Sequence, residues 1–117
     1  MHIESIRSYC LSKKGVTESM PFDDKTLVFK VAGKIFALTN LNFVPLRLNL
    51  KCDPKKAIDL RERFESVLPG YHMNKKHWNT IEVTGEISKG LLNHLIDHSY
   101  DLVKSKLSKR VREDHIL

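Results

Sequence analysis

The most constraining feature of this sequence is an eight-residue segment, 44–51, in which apolar and polar side chains alternate. The aliphatic positions are Val44, Leu46, Leu48 and Leu50. The polar positions between them are Pro45, Arg47, Asn49 and Lys51. Successive side chains of a β-strand point to opposite faces, so this period of two separates the aliphatic set from the polar set. The pattern predicts a sheet with one buried face and one solvent-exposed face that carries cations, as is typical of antiparallel sheets.

Other strands and helices can be predicted on both sides of this strand. Helical spacing of apolar residues predicts a first helix over residues 3–13, followed by Gly15. Residues 26–31 and 35–39 are rich in apolar and β-branched side chains, and Gly33 lies in the short segment between them. Because glycine adopts the positive φ that a tight turn needs, the two runs predict a β-hairpin.

The second half of the chain predicts two helices and two more strands. Asp53-Pro54 provides an N-cap carboxylate and a proline for the first turn of a helix, which we expect to end at Leu68-Pro69-Gly70. Residues 71–73 and 78–83 are predicted to form strands joined by a tip over 74–77. Ser88 is predicted to cap a final helix that runs to about Leu107.

The order of these elements predicts the fold class. Strands occur in runs rather than in strict alternation with helices, which indicates an α+β protein. We expect a two-layer sandwich in which an antiparallel sheet of about five strands has helices on one face, in the order α-β-β-β-α-β-β-α. The 117 residues show no repeat, linker or change of composition, so a single domain is predicted over 1–117.

Composition also limits the compartment. No apolar run approaches the roughly 20 residues that span a bilayer, and the N-terminus lacks the pattern of a secretory signal. Cys10 and Cys52 are too few and too far apart for a disulfide framework or a zinc site. We therefore expect a soluble protein of the reducing cytoplasm that does not associate with membranes. We also expect a monomer.

The charge favours polyanionic partners. The chain has a formal net charge of +6 and a pI near 9.4. In the segment 69–80, two lysines, two histidines and Trp78 occur with no acidic residue. If this segment is a β-hairpin, Lys75 and Lys76 lie at its tip. A basic hairpin tip of this kind, called a wing, can contact a phosphate backbone. The alternative is a solvated turn in which Trp78 packs on the sheet.

The basic run 104–112 is either an arm for nucleic acid or a helix C-terminus whose cations complement the helix dipole.

Signatures of enzymes and metal sites are missing from the sequence. It contains no glycine-rich phosphate loop, no nucleophile elbow, no His-Glu-x-x-His and no Cys-x-x-Cys. His94 and His98 have a spacing that can hold a metal, but the helical period places both opposite the apolar stripe and toward solvent, without a third ligand. We expect no catalytic residue, no metal and no cofactor.

Several of these segments resemble the YjbR/MmcQ family of small bacterial proteins over nearly the whole chain. The matching segments are Pro21-Phe22, 34–38, 50–54, 69–80 and 99–103. The resemblance implies a CyaY-like (frataxin-like) or secretion-chaperone-like α+β sandwich. It also implies DNA binding, because the fold of the family is similar to a "double wing" DNA-binding domain.

The residues and the resemblance together predict a non-enzymatic DNA-binding protein that makes mainly phosphate contacts. The predicted contact residues are Arg47, Lys51, Asn74, Lys75, Lys76, His77 and Trp78. One alternative is a protein or peptide interaction module that uses the same sheet. Another is a small-anion or metabolite site around His72, Lys76, His77 and Trp78.

Overall fold

A computed structural model describes residues 2–70 and 73–117. Its elements in chain order are α1 (Ile3–Leu11), β1 (Val16–Ser19), β2 (Thr26–Val31), β3 (Lys34–Asn40), β4 (Arg47–Lys51), α2 (Pro54–Arg63), β5 (Val67–Pro69), β6 (Trp78–Glu82), α3 (Lys89–Ser105) and α4 (Lys109–Asp114). Among the described residues, no helix is long and apolar enough to cross a membrane.

The strands form one antiparallel sheet of six strands in the order β1-β2-β3-β4-β6-β5. The register aligns one side chain from each of five neighbouring strands in a single row across the sheet. The members of this row are Val28, Leu38, Asn49, Thr80 and Leu68. These residues alternate with core residues such as Phe29 and Leu48, so they lie on the face opposite the helices, which we call the open face.

The core lies between the other face of the sheet and the helices. Leu48 and Leu50 of β4 are buried in it, as the alternation in the sequence predicts. Ser99 fastens α3 to the sheet: its hydroxyl donates to the carbonyl oxygen of Phe36 at 2.5 Å and accepts from the backbone N–H of Lys51 at 2.9 Å. The ring of Tyr100 packs edge-on against Phe36, with ring centroids 5.5 Å apart. The predicted α+β class, with helices packed on an antiparallel sheet, is confirmed.

The main difference from the prediction is the number and position of the strands. The structure has six rather than about five, because Val16–Ser19 forms an edge strand paired with β2. Its composition is largely polar, and a half-exposed edge strand produces no apolar run. The strand that pairs with β6 is Val67–Pro69 instead of 71–73. Of that predicted strand, Tyr71 and His72 lie outside the described residues and Met73 lies in a bend.

Several boundaries also differ from the prediction. α2 ends at Arg63 because Phe64 adopts an extended backbone, so the helix stops before Leu68-Pro69-Gly70. β4 starts at Arg47 rather than at Val44, whose surface is 94% exposed. α3, which was predicted to be the final helix, ends at Ser105 rather than near Leu107, and Ser108 caps a short fourth helix, α4, that the sequence did not predict.

Both predicted N-caps are confirmed. The Asp53 carboxylate accepts the backbone N–H groups of Lys55 and Lys56, each at 3.1 Å. The Ser88 hydroxyl accepts the backbone N–H of Leu91 at 3.1 Å. These side chains satisfy N–H groups that have no partner inside the helix, so α2 and α3 start where the sequence indicates.

Candidate functional site

The connection between β5 and β6 presents two lysines to solvent. Asn74 organises it: its side-chain oxygen accepts the backbone N–H of Lys76 at 2.9 Å, and its carbonyl oxygen accepts the N–H of Trp78 at 2.9 Å. The side chains of Lys75 and Lys76 are exposed on the resulting turn. Arg61 of α2 donates to the carbonyl oxygen of Lys75 at 3.3 Å and so ties the turn to the helix layer.

This connection is closed by a close approach of two backbones. The N–H of Gly70 donates to the carbonyl oxygen of Trp78 at 2.9 Å. A Cβ atom on Gly70 would lie 2.8 Å from the Cβ of Trp78, so only glycine fits without displacement. Trp78 and His77 are both half-buried, and the His77 carbonyl oxygen accepts the N–H of Cys52 at 2.7 Å.

The tight turn between β2 and β3 is a second basic connection. Ala32 and Gly33 both have positive φ, at 48° and 83°, as a two-residue hairpin turn requires. Lys34 follows the turn and is exposed. It lines a shallow cavity of about 200 Å³ together with Lys51 of β4 and Lys106, which follows α3. Burial and, secondarily, the charge of Lys106 lower the pKa of Lys51.

The topology brings these two connections to the same end of the sheet. The start of β3 lies beside the end of β4, which in turn pairs with the start of β6 through Lys51 and Trp78. Two strand spacings separate β3 from β6, so the two connections are about 10 Å apart with Lys51 between them. We call this region the basic end. Its cationic and titratable members are Lys34, Lys51, Lys75, Lys76, His77 and Lys106.

The acidic residue closest in sequence to Lys51 is engaged in a helix cap. The Asp53 carboxylate caps α2. The ion pairs seen among the described residues are Arg7–Glu18, Lys13–Asp97, Arg47–Glu82, Arg63–Asp59 and Lys109–Glu113. None of these pairs uses Lys34, Lys51, Lys76 or Lys106, so those ammonium groups contribute to a positive potential at this end of the sheet.

Arg47 is not brought together with the other sequence-predicted residues. It lies at the opposite end of β4 from Lys51, about 14 Å away at the rise of an extended strand. Its guanidinium pairs with the Glu82 carboxylate at 3.3 Å and lies over the Phe43 ring, 4.6 Å from the centroid. The neighbouring carboxylate offsets its charge, so Arg47 contributes little to a cationic surface.

The open face carries a feature that sequence reasoning missed. A cavity of about 590 Å³ lies along β3, and we call it the open-face groove. The described residues that line it are Phe22, Thr26, Ile35, Leu38, Asn40, Phe43, Asn49 and Met73. The predicted cations of this face, Arg47 and Lys51, lie at the two ends of β4, and the groove beside them is lined by apolar and amide side chains. The two aromatic residues come from separate loops, and only the strand register brings them together.

The histidines of α3 correct one further expectation. His94 is exposed as predicted, but His98 is half-buried against the start of α2, and its Nε2 accepts the backbone N–H of Asp53 at 3.1 Å. Burial and then the charge of Lys56 lower the pKa of His98. Within the described part of the chain, no three His, Cys, Asp or Glu side chains form a group that could hold a metal.

The two thiols have little nucleophilic character. Burial raises the pKa of Cys10 to about 12 and that of Cys52 to about 11. The thiolate is the reactive form of cysteine, so both side chains act as small core residues.

The chemistry that the basic end offers is the binding of anions, through ammonium groups that the turns present to solvent.

The fold and the basic end define a class of small α+β proteins in which helices cover one face of an antiparallel sheet and connections at one end present cations. The family model described as YjbR matches residues 11–102. The chain belongs to the YjbR family.

Relatives and solved structures agree with this assignment. The chain is 43% identical to YbdF of Escherichia coli O157:H7 over 92% of its own length and 88% of that protein. It is 30% identical to YjbR of Escherichia coli K12, over 97% and 96% of the two chains. The crystal structure of DR2400 from Deinococcus radiodurans, a DUF419 domain, matches with a TM-score of 0.93 and 41% identity over 98% of this chain and 88% of that one. A protein from Pseudomonas syringae matches with a TM-score of 0.76 and 25% identity, over 87% and 98% of the two chains.

Proposed function

We propose that this protein binds DNA in the bacterial cytoplasm, mainly through contacts between the basic end and the phosphate backbone. The observation that carries the proposal is the placement of two basic connections at one end of the sheet, with Lys51 between them. The net charge of +6 supports the same conclusion, since long-range attraction to a polyanion accelerates and strengthens association.

Rigid turns make these cations effective ligands for phosphate. Hydrogen bonds that Asn74 accepts from the backbone N–H groups of Lys76, His77 and Trp78 hold this part of the β5–β6 connection, and two positive-φ residues form the β2–β3 turn. We expect the backbone of residues 74–78 to need little further ordering when the lysines contact phosphate, which limits the entropic cost. Phosphate contacts of this kind position a duplex without reading its sequence, so we expect weak sequence preference.

The experiment is an anisotropy titration of fluorescently labelled random-sequence duplex between about 50 and 200 mM salt. The Lys75→Ala/Lys76→Ala variant removes the exposed cations of the β5–β6 connection. We expect weaker binding to every sequence and a plot of log affinity against log salt whose slope is smaller by about two.

The matched control removes the same charge from the opposite end of the sheet. Lys25 lies before β2, and Lys89 starts α3, whose far end leads to Lys106; both are exposed. The Lys25→Ala/Lys89→Ala variant should retain most of the affinity and the slope. Wild-type affinity in the Lys75/Lys76 variant, or an equal loss in the control, would show that the basic end is not the binding surface.

A further inference from the structure

The open-face groove has the size and the lining of a site for one flat organic group. Its volume of about 590 Å³ lies within the range of small-ligand pockets. Phe22 is 66% exposed and Phe43 is 44% exposed, although both rings line this cavity. None of the described residues that line the groove is charged, and the Arg47 guanidinium that lies over the Phe43 ring is paired with Glu82. The groove therefore suits a neutral occupant with a large apolar surface.

The amides of the groove offer donors more than acceptors. The side-chain oxygen of Asn40 already accepts the backbone N–H of Asn42 at 2.9 Å. The side-chain oxygen of Asn49 already accepts the Thr80 hydroxyl at 2.6 Å, and its Nδ2 makes only a long bond of 3.5 Å to the Leu38 carbonyl oxygen. The N–H groups of both amides are therefore the polar atoms best placed to bind an occupant, which must present acceptors such as ring carbonyls.

The groove adjoins the basic end through the chain itself. Ile35 lines the groove and directly follows Lys34, while Met73 lines it from the other side and directly precedes Asn74. A strand whose phosphates lie on the basic end can therefore continue along β3 and place a base farther along the groove, where Asn40 pairs with Arg47 and Phe43 lies. Single-stranded nucleic acid does this readily, because its bases are free to leave a stack and lie against aromatic rings.

We propose that the open-face groove binds an unstacked thymine or uracil base of a single strand whose phosphates contact the basic end. This proposal rests on the proposed function and extends it to the form of nucleic acid that is preferred. The base stacks against Phe22 and Phe43, and its carbonyl oxygens accept from Asn40 and Asn49.

The test compares two single strands of equal length and charge. One is an oligothymidylate of about 12 nucleotides, and the other is an abasic strand with the same backbone. We expect the oligothymidylate to bind at least about tenfold more tightly, since stacking on one aromatic side chain contributes at that scale. A thermal-shift measurement of the protein with free thymidine shows whether the groove binds a free nucleoside or needs a base that is part of a strand.

Two kinds of variant locate the binding site. Phe22→Ala and Phe43→Ala remove the rings, and Ile58→Ala, which truncates an exposed residue of α2, is their control. Asn49→Asp keeps the oxygen that accepts from Thr80 but loses the N–H donors, and Asn42→Asp adds the same charge outside the groove. We expect the ring variants and Asn49→Asp to lower oligothymidylate affinity about tenfold, toward that of the abasic strand. The two controls should not do so.

Three outcomes would contradict the proposal that the open-face groove binds a base of a single strand. If both strands bind equally, with salt dependence and with loss in the Lys75→Ala/Lys76→Ala variant, the groove proposal is wrong and phosphate binding at the basic end stands. If neither strand nor duplex binds, the proposed function fails as well. If free thymidine stabilises the protein and the oligothymidylate binds no better than the abasic strand, the groove takes a free nucleoside instead of a strand.

Discussion

Ser99 shows how a single buried hydroxyl can hold two layers together. It is fully buried, and it both donates to Phe36 and accepts from Lys51, so two backbone groups of different strands depend on it. We expect Ser99→Ala to lower the free energy of unfolding by about 1–3 kcal/mol, because both groups would remain buried without that partner. Urea unfolding measures the change.

The control for Ser99 lies on the same helix. The exposed Ser105 hydroxyl donates to the carbonyl oxygen of Leu102 at 2.8 Å. Ser105→Ala should change stability by less than about 0.5 kcal/mol. Equal effects of the two substitutions would argue against a special role for Ser99.

His98 makes stability depend on pH. Because its folded-state pKa lies below the usual 6.5, the unfolded chain binds a proton that the native His98 resists. The contribution of neutral His98 to the free energy of unfolding is fully present above about pH 6.5. It is lost as the pH falls from there toward the lower folded-state pKa. Asp53 and Asp101 partly oppose this effect, and Lys56 and His94 reinforce it.

A variant without the titrating group isolates this effect. His98→Gln should lose less stability than the wild type between about pH 8 and pH 5, as measured by urea unfolding. His115→Gln, which removes an exposed histidine near the C-terminus, should retain the wild-type dependence. Parallel stability curves for the wild type and His98→Gln would contradict the assignment.

At the scale of secondary-structure elements, the hairpin of β5 and β6 depends on a missing side chain. Gly70→Ala would place a Cβ atom 2.8 Å from the Cβ of Trp78 and 3.0 Å from its carbonyl oxygen. We expect a destabilisation of about 1–3 kcal/mol, together with weaker DNA binding because the adjoining turn shifts. Thermal unfolding and the duplex titration measure the two effects.

Gly90 provides a control substitution whose expected effect on stability is opposite to that of Gly70→Ala. Gly90 lies in the first turn of α3, and a Cβ atom there meets nothing within 4 Å. Gly90→Ala should raise stability by up to about 1 kcal/mol, since alanine favours a helix more than glycine does. A destabilising Gly90→Ala, or a neutral Gly70→Ala, would refute the steric explanation.

Elements with strong local signals could be predicted from the sequence, and those without could not. β2 matches its predicted range, and α2 starts at the Asp53-Pro54 signal. β1 was missed because its alternation is weak and polar, and β5 because three residues are too short for a periodic pattern. The basic turn was recognisable from composition, whereas the groove depends on the register that aligns Leu38 with Asn49.

At the scale of the whole molecule, the two basic connections should act as one surface. Because Lys34 and Lys76 lie on the same end of the sheet, Lys34→Ala added to the Lys75→Ala/Lys76→Ala variant should lower the salt slope by about one more. The same titration measures it. An unchanged slope in the triple variant would show that the β2–β3 turn does not contact the duplex.

The edge strands of the sheet determine how readily copies of this molecule can pair with one another. β1 has four residues and β5 has three, the last of which is Pro69, which lacks a backbone N–H. A neighbouring chain therefore finds few unpaired main-chain groups with which to lengthen the sheet, and fibril-like stacking through the margins is disfavoured. The sheet can expose a groove with two aromatic rings on one face while both of its margins resist self-association.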